Sequence, residues 1–440
     1  MSELWARTVL STYRWAGAAA YPLVGGYIGW RATRGREDKG RHRERYGRTA
    51  VERPDGPLVW VHAVGDRETI AVTALIGRIL ALGINIVLTT RTVSSARIAR
   101  ERLGDRVVHQ YVPLDLKPAV SRFLEHWNPD LAVIAESEIW PMTILELGAR
   151  RIPVILVNGR MSDRAYAGWR RWPWLAEALL ENLSLVVAQS EQDAERFRAL
   201  GARPVAVSGN LKTDIEPPPV DELELRRVLT QIGKRKTWSA LCTHIGEETT
   251  AGDVHKLLMA RFKDVLTVIA PRDPGRGDAV EAELVGMGLN VARRSRRDKV
   301  TDKIHVLLCD EPGESGLWLR LSDIAFFGGS LFENDGENPI DAIMLGAAIL
   351  SGQGFEQYQD IYQPLMNKGG IRLVRDQEML AGAVNFLLRN EEARQKIARS
   401  GNDALKTMRG ALDLTVRALE PFIHPLVVKA RLESGARARR

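Results

Sequence analysis

The stretch Leu58-Val59-Trp60-Val61-His62-Ala63-Val64-Gly65-Asp66-Arg67-Glu68-Thr69-Ile70 decides how this chain is read. A short apolar run breaks at small residues, and polar groups then lead into an amphipathic segment. That pattern marks a strand-to-helix junction whose loop lies at the carboxyl end of a parallel sheet. A second junction of the same kind runs from Gly328-Gly329-Ser330 through Glu337-Asn338-Pro339-Ile340-Asp341. Two such junctions, far apart in the chain, point to one site assembled between two sheets.

Outward from the first junction, β-branched runs alternate with amphipathic segments: LVWVHAV, NIVLTT, VVHQYVP, LAVIAES, VILVNG, LVVAQ and VAVSG. Helix-like stretches fall at 69–82, 94–103, 116–126 and 191–200, giving a doubly wound α/β domain. Glu216-Pro217-Pro218-Pro219 then stops the pattern, because a triple proline continues neither a helix nor a central strand. A second alternation follows, with TWSALCT, DVLTVIA, KIHVLLC, DIAFFGG and AAILSG as strands and helices at 248–262, 277–287, 338–345 and 377–388. The expected organisation is residues 1–45 as a membrane-associating segment with a basic flank, 46–215 as a first Rossmann-like domain, 216–220 as linker, 221–425 as a second such domain, and 426–440 as a basic tail. The helical stretch from Glu391 to Met408 and beyond is expected to pack back across the linker.

With 440 residues the chain is too long for one core, and two domains of this size can each bury an interior. Its 45% hydrophobic and 27% charged content is that of a folded globular protein and excludes disorder. The net charge of +7 is clustered at 31–45, 293–299 and 437–440, which fits an anionic surface or substrate. No helix-turn-helix, zinc-finger spacing or aromatic RNA-binding signature accompanies the basic residues, so nucleic acid is not expected as a partner. The two cysteines, Cys242 and Cys309, lack metal-ligand spacing and read as buried thiols in a reducing compartment.

Residues 15–30, WAGAAAYPLVGGYIGW, carry no charge and hold interfacial aromatics, with a basic segment directly after them. The run is shorter than the about 20 apolar residues of a spanning helix, and Pro22 interrupts it. It reads as a membrane-associating or short anchoring segment with its basic flank on the cytoplasmic side. The alternative is an apolar helix packed on its own protein.

The junction LVWVHAVGDRETI resembles the His-x-x-Ser-x-Gly-Glu motif of the 3-deoxy-D-manno-octulosonic acid (Kdo) transferases. ESEIWP, NGRMSDR and GNLKTD resemble that family's E-x-E-x-W-P, N-x-R-x-S and G-x-L-K-x-D segments. THIGEE, PRDPGRG and GGSLFENDGENPID resemble its T-x-x-G-E-E, P-R-H-P-x-R and G-G-S then G-G-H-N-P-L-E segments, all in order between about residues 31 and 421. The resemblance implies a GT-B type glycosyltransferase, an α/β fold of two facing Rossmann-like domains, the first binding acceptor and the second the CMP-sugar. It further implies transfer of Kdo from CMP-Kdo to a lipid A precursor (lipid IVA), with inversion, at the cytoplasmic face of the inner membrane. No cofactor or metal is expected, the donor being a substrate.

By the same resemblance Glu68 is the proton acceptor, and Glu136 and Lys212 stabilise the transition state. CMP contacts are implied at Pro271 and Arg272, at Pro312, Gly313 and Glu314, and at Asn338, Pro339, Ile340 and Asp341. A helix amino terminus near Asn338 would offer free N–H groups to the CMP phosphate. His62, His244 and His305 read as structural or polar contacts rather than metal ligands.

Several positions depart from the family pattern. Arg67 replaces a glycine just before the base and Asp66 adds a carboxylate; Glu337 stands where histidine or a neutral polar residue is usual; Asp341 replaces a glutamate; and Cys309-Asp310-Glu311-Pro312 replaces Gly-Asp-Thr-Met. The lost glycine matters if the backbone at Arg67 requires positive φ. Alternative readings are therefore a related transferase with another donor or acceptor, or a catalytically silent membrane-associated paralogue.

Overall fold

Strand β1 (Leu58–His62) sets the architecture of the first half, because every one of its residues is buried. Val59 and Val61 join one apolar cluster while Leu58 and Trp60 join another on the opposite face. A strand covered on both faces belongs in the middle of a parallel sheet. The computed structural model describes residues 37–38, 40–136 and 139–437, together with Gly26 and Gly29. Apart from those two glycines, the apolar segment 15–30 lies outside the described residues, as do Ser137, Glu138 and the last three residues of the basic tail.

The described chain divides into two compact units, residues 1–215 with 409–440, and residues 216–408. In the first, β1 is joined by β2 (Asn85–Thr90), β3 (Val108–Tyr111), β4 (Leu131–Ala135), β5 (Val154–Gly159), β6 (Leu185–Ala188) and β7 (Val205–Val207). Their order is β3-β2-β1-β4-β5-β6-β7, all parallel. In the second, β8 (Thr237–Thr243), β9 (Leu266–Pro271), β10 (Val291–Arg293), β11 (Val306–Leu308), β12 (Ile324–Phe327), β13 (Ala348–Ser351) and β14 (Ile371–Leu373) run β10-β11-β9-β8-β12-β13-β14, again all parallel. Strand order reverses direction between β1 and β4 in one unit and between β8 and β12 in the other. Crossovers leave such neighbours on opposite faces, which opens a crevice at their carboxyl ends.

Two expected boundaries move. The second unit ends at Met408 rather than at residue 425, because helix Ala411–Arg437 returns to the first unit. There Leu419, Ile423 and Leu426 enter the cluster around β1, and Asp214 accepts from the N–H groups of Gly410 and Leu412. The prolines read as a stiff interdomain linker group with the second unit. Arg320 donates to the Pro218 carbonyl at 3.1 Å, and a Cβ on Gly316 would stand 1.9 Å from the Pro219 carbonyl oxygen. Gly316 is thus required there by close backbone approach. Among the described residues, no helix is long and apolar enough to cross a membrane.

Candidate active site

Glu68 stands in the first turn of helix Asp66–Leu80, directly after β1. Its carboxylate accepts from the Gly65 N–H at 2.9 Å, closing a capping box that fixes the side chain over the end of the strand. A Cβ on Gly65 would meet that carboxylate oxygen at 2.8 Å, so the glycine leaves the room it occupies. Arg67 lies within the same helix and outside the positive-φ residues, so the missing glycine imposes no backbone strain. Asp66 accepts from Ser94 Oγ at 2.8 Å and Thr92 Oγ1 at 3.2 Å, tying its helix to helix Val93–Leu103.

Glu136 follows β4, the neighbour of β1 at the reversal, and adopts φ of 61°. A non-glycine residue there costs about 1–2 kcal/mol and must be held by its surroundings. Here the Glu136 N–H donates to the Val157 carbonyl at 2.9 Å, and Lys212 Nζ sits 2.6 Å from Glu136 Oε1. Asn158 Nδ2 approaches the same oxygen at 3.4 Å, while Asn158 Oδ1 accepts from the Leu211 N–H at 2.9 Å. That second bond positions the 3₁₀ turn Leu211–Thr213, which carries Lys212 inward. The two side chains are only 12% and 7% exposed. Asp115, not Glu136, caps the helix after Trp140, accepting from the N–H groups of Met142 and Thr143.

Burial pushes the Glu136 carboxyl above the ordinary carboxylate range; Lys212 pulls it back, and the adjacent Glu68 carboxylate adds to the rise. His62, the last residue of β1, lies against Thr89 with Nδ1 2.9 Å from Oγ1, and edge-on to Trp140. Burial lowers its pKa to about 4, so the ring is neutral near pH 7.

In the second unit Arg272 follows β9, and its guanidinium is held by Glu337 and, at 3.1 Å, by Asp335. Asn338 Oδ1 accepts from the Ile340 N–H at 3.0 Å, opening the short helix Ile340–Met344. Ile340 is fully buried, backbone included, and its N–H is taken up by Asn338. Gly313 turns with φ of 88°, but the Glu314 carboxylate is held by both Arg294 Nη2 at 2.7 Å and Nε at 2.9 Å. Arg293 pairs with buried Asp310, so the front of the 293–299 basic cluster is internally neutralised.

Two residues to which sequence reading gave no role organise this end of the sheet. Glu247, 1% exposed, accepts from the N–H groups of His244, Gly329, Ser330 and Leu331. Glu248, fully buried, accepts from Thr243 Oγ1 at 3.1 Å and Arg276 Nη1 at 2.6 Å. Together they set the Gly-Gly-Ser turn beside β8. The signal for them was present in sequence as adjacent glutamates in the first turn after an apolar strand. His244 bonds Glu333 at 2.9 Å, and His305 accepts from the Asn290 N–H at 3.0 Å. Among the described residues, no group of three or more His, Cys, Asp or Glu could hold a metal ion.

A family model described as 3-deoxy-D-manno-octulosonic-acid transferase (kdotransferase) matches residues 40–215, the part that carries Glu68, Glu136 and Lys212. The 3-deoxy-D-manno-octulosonic acid transferase of Haemophilus influenzae is 30% identical over 414 residues, covering 91% of this chain and 96% of its own. The chain belongs to the Kdo transferase family. The Rickettsia felis transferase of the same name is also 30% identical, over 79% of this chain and 75% of its own. As a Kdo transferase family member the chain shares the GT-B type fold of solved structures at much lower identity. A glycosyltransferase from Rickettsia africae matches with TM-score 0.52 at 11% identity, over 85% of this chain and 99% of its own. The UDP-GlcNAc 2-epimerase of Neisseria meningitidis matches with TM-score 0.53 at 15% identity, over 82% and 99%.

Proposed function

We propose that this Kdo transferase moves Kdo from CMP-Kdo to a hydroxyl of a lipid A precursor (lipid IVA), with inversion at the anomeric carbon. The observation that carries this reading is the convergence of half-buried Glu68 and Glu136 with buried Lys212 at the strand reversal of the first unit. In the proposed step the acceptor oxygen forms a bond to the anomeric carbon as the bond from that carbon to the CMP phosphate oxygen breaks. The acceptor proton passes to Glu68, the electron pair leaves with CMP, and no cofactor takes part. Lys212 and Glu136 hold the charge that builds around the reacting centre. Asn158 and His62 act as positioning residues, the one through Lys212 and Glu136 and the other beside Glu68.

The second unit supplies the nucleotide contacts in this reading: Pro271 and Arg272, the Pro312-Gly313-Glu314 turn, and Asn338 to Asp341. Arg272 is the group suited to the departing phosphate, since its guanidinium can bond two oxygens at once. Glu337 and Asp335 now occupy it, so phosphate binding proceeds by exchange of carboxylate for phosphate. The acceptor is a lipid, which places the enzyme at the cytoplasmic face of the inner membrane, with residues 15–30 as a membrane-associating segment.

Incubation of the purified protein with freshly generated CMP-Kdo and a tetraacylated lipid A precursor tests the proposal. A product bearing Kdo with inverted anomeric configuration by NMR is expected. Folded protein that binds CMP but makes no such product would point to a different donor or acceptor. Folded protein with neither CMP binding nor product would point to a silent paralogue.

A further inference from the structure

The first unit carries a surface that the chemistry above does not use. Helices Asp163–Trp169 and Pro173–Leu180 follow directly from β5, whose Asn158 supports the buried cluster, and they meet at the corner Arg170-Arg171-Trp172. Trp172 is 55% exposed, and its ring stands edge-on to Trp174 at 5.8 Å. Arg170 and Arg171 directly precede it and Arg164 lies on the helix before them, all exposed. Among the described residues, none of these three arginines has a carboxylate within ion-pair distance, and Arg170 lies over the Tyr166 ring at 5.7 Å. Asp163, the acid on the same helix, pairs with Arg196.

The corner is built, not a frayed loop tip. Trp172 N–H donates to the Trp169 carbonyl at 2.9 Å, and the Trp172 carbonyl accepts from the Ala176 N–H at 3.0 Å. Pro173 begins the second helix at a position where its missing N–H costs nothing. Tyr166 and Trp169 pack their inner sides on the apolar cluster beneath. A rigid body of this kind loses little entropy on docking.

We propose that this arginine–tryptophan corner is the surface by which the first unit seats on an anionic lipid bilayer. Unpaired guanidinium groups bond phosphate oxygens of headgroups, and tryptophan prefers the headgroup level, where its ring is covered and its N–H stays hydrated. Helix Asp163–Trp169, which carries the corner, follows the carboxyl end of β5, the strand that supplies Asn158 beside Glu136, so the corner belongs to the unit that holds Glu68 and Glu136. The proposal deepens the lipid-acceptor reading and rests on it for its purpose, but vesicle binding is measured without transfer.

Full-length protein is partitioned onto vesicles of phosphatidylcholine alone and of phosphatidylcholine mixed with phosphatidylglycerol, as wild type, as the double variant Arg170→Gln/Arg171→Gln, and as Trp172→Phe. Loss of two near-surface charges is expected to weaken binding to the anionic vesicles about 30-fold. Brominated acyl chains are expected to quench a tryptophan component that is present in wild type and missing in Trp172→Phe. Unchanged partition of a folded double variant overturns the proposal, as does identical quenching in wild type and Trp172→Phe. The second readout decides even where the double variant fails to fold. Tight binding of a mixed-sequence DNA duplex with no binding to either vesicle also overturns it and reassigns the corner to nucleic acid. Vesicle binding without transfer by wild type would leave this surface standing and sink the transferase reading alone.

Discussion

Both units place a glutamate in the first turn of the helix after the strand at their reversal point, and each folds back onto an N–H three residues earlier. Glu68 caps Gly65, and Glu247 caps His244. The difference lies in the rest of each carboxylate. Glu247 is saturated, since Gly329, Ser330 and Leu331 also donate to it, and its neighbour Glu248 is matched by Arg276. Glu68 faces a second carboxylate, Glu136, which burial pushes up and a single lysine steadies. The same local sequence device therefore yields a structural rivet in one unit and, in the other, a carboxylate left beside a second one, which the proposed mechanism uses as the proton acceptor. Glu247 is buried at 1% exposure where Glu68 is half-buried, and the supply of donors separates them further.

The widest separation between the two is expected from truncating each glutamate. Glu68→Ala should lower transfer by roughly 10²–10⁴-fold while costing about 1 kcal/mol of stability, the size of a lost cap. Glu247→Ala leaves several buried N–H groups without an acceptor and should destabilise the second unit by roughly 3–5 kcal/mol. Denaturant midpoints beside initial rates check both; equal stability losses would erase the distinction. Lys212→Met strips the buried Glu136 carboxylate of its cation and should cost roughly 3 kcal/mol, unless Glu136 takes up a proton instead. The companion Glu136→Gln/Lys212→Met, with no buried charge left, should recover most of that loss in a denaturation series.

A feature common to both units is a buried neutral histidine, His62 in one and His255 in the other, each lowered to about 4 by burial. The unfolded chain binds these protons from about pH 6.5 downward and the folded chain only near pH 4. Stability is thus full above the unfolded value and is lost as pH falls through that window, by up to roughly 3 kcal/mol for each ring. Urea unfolding across this range should show it, and a flat profile would contradict the burial argument. The smallest effect is expected at Glu337→Gln, which frees Arg272 from one of its two partners. Removing a half-exposed pair of this kind is worth up to about 1 kcal/mol, so CMP should bind up to about fivefold more tightly by calorimetry. Weaker binding would mean that Glu337 itself contacts the nucleotide.

Much of the fold was legible because a fully buried parallel strand announces itself as an apolar run that stops at small residues, as LVWVHAV does. β10 and β14 escaped because an arginine breaks each three-residue run, whereas the equally short β7 and β11 are wholly apolar. Helices Asp163–Trp169 and Pro173–Leu180 escaped for a different reason: arginine, tryptophan and proline interrupt their apolar face, and the same interruption makes the exposed corner. The apolar spacing of Leu419, Ile423 and Leu426 marks a helix face in sequence but cannot say which unit it covers. At the site, motifs named Glu68, Glu136 and Lys212, yet their convergence depends on the β1–β4 neighbourhood and on Asn158 bridging β5 to the lysine turn. The commitment of Glu314 to Arg294 and of Arg272 to Glu337 depends on partners brought together only by folding.

Single-turnover transfer from CMP-Kdo to the tetraacylated precursor, by wild type and Glu68→Gln at equal folded fraction and with CMP binding measured alongside, tests the central claim. A rate reduced by roughly two orders of magnitude or more, with CMP affinity unchanged, is the result expected of a proton acceptor. A Glu68→Gln rate close to wild type would show that the base lies elsewhere and that the buried cluster is structural in both units.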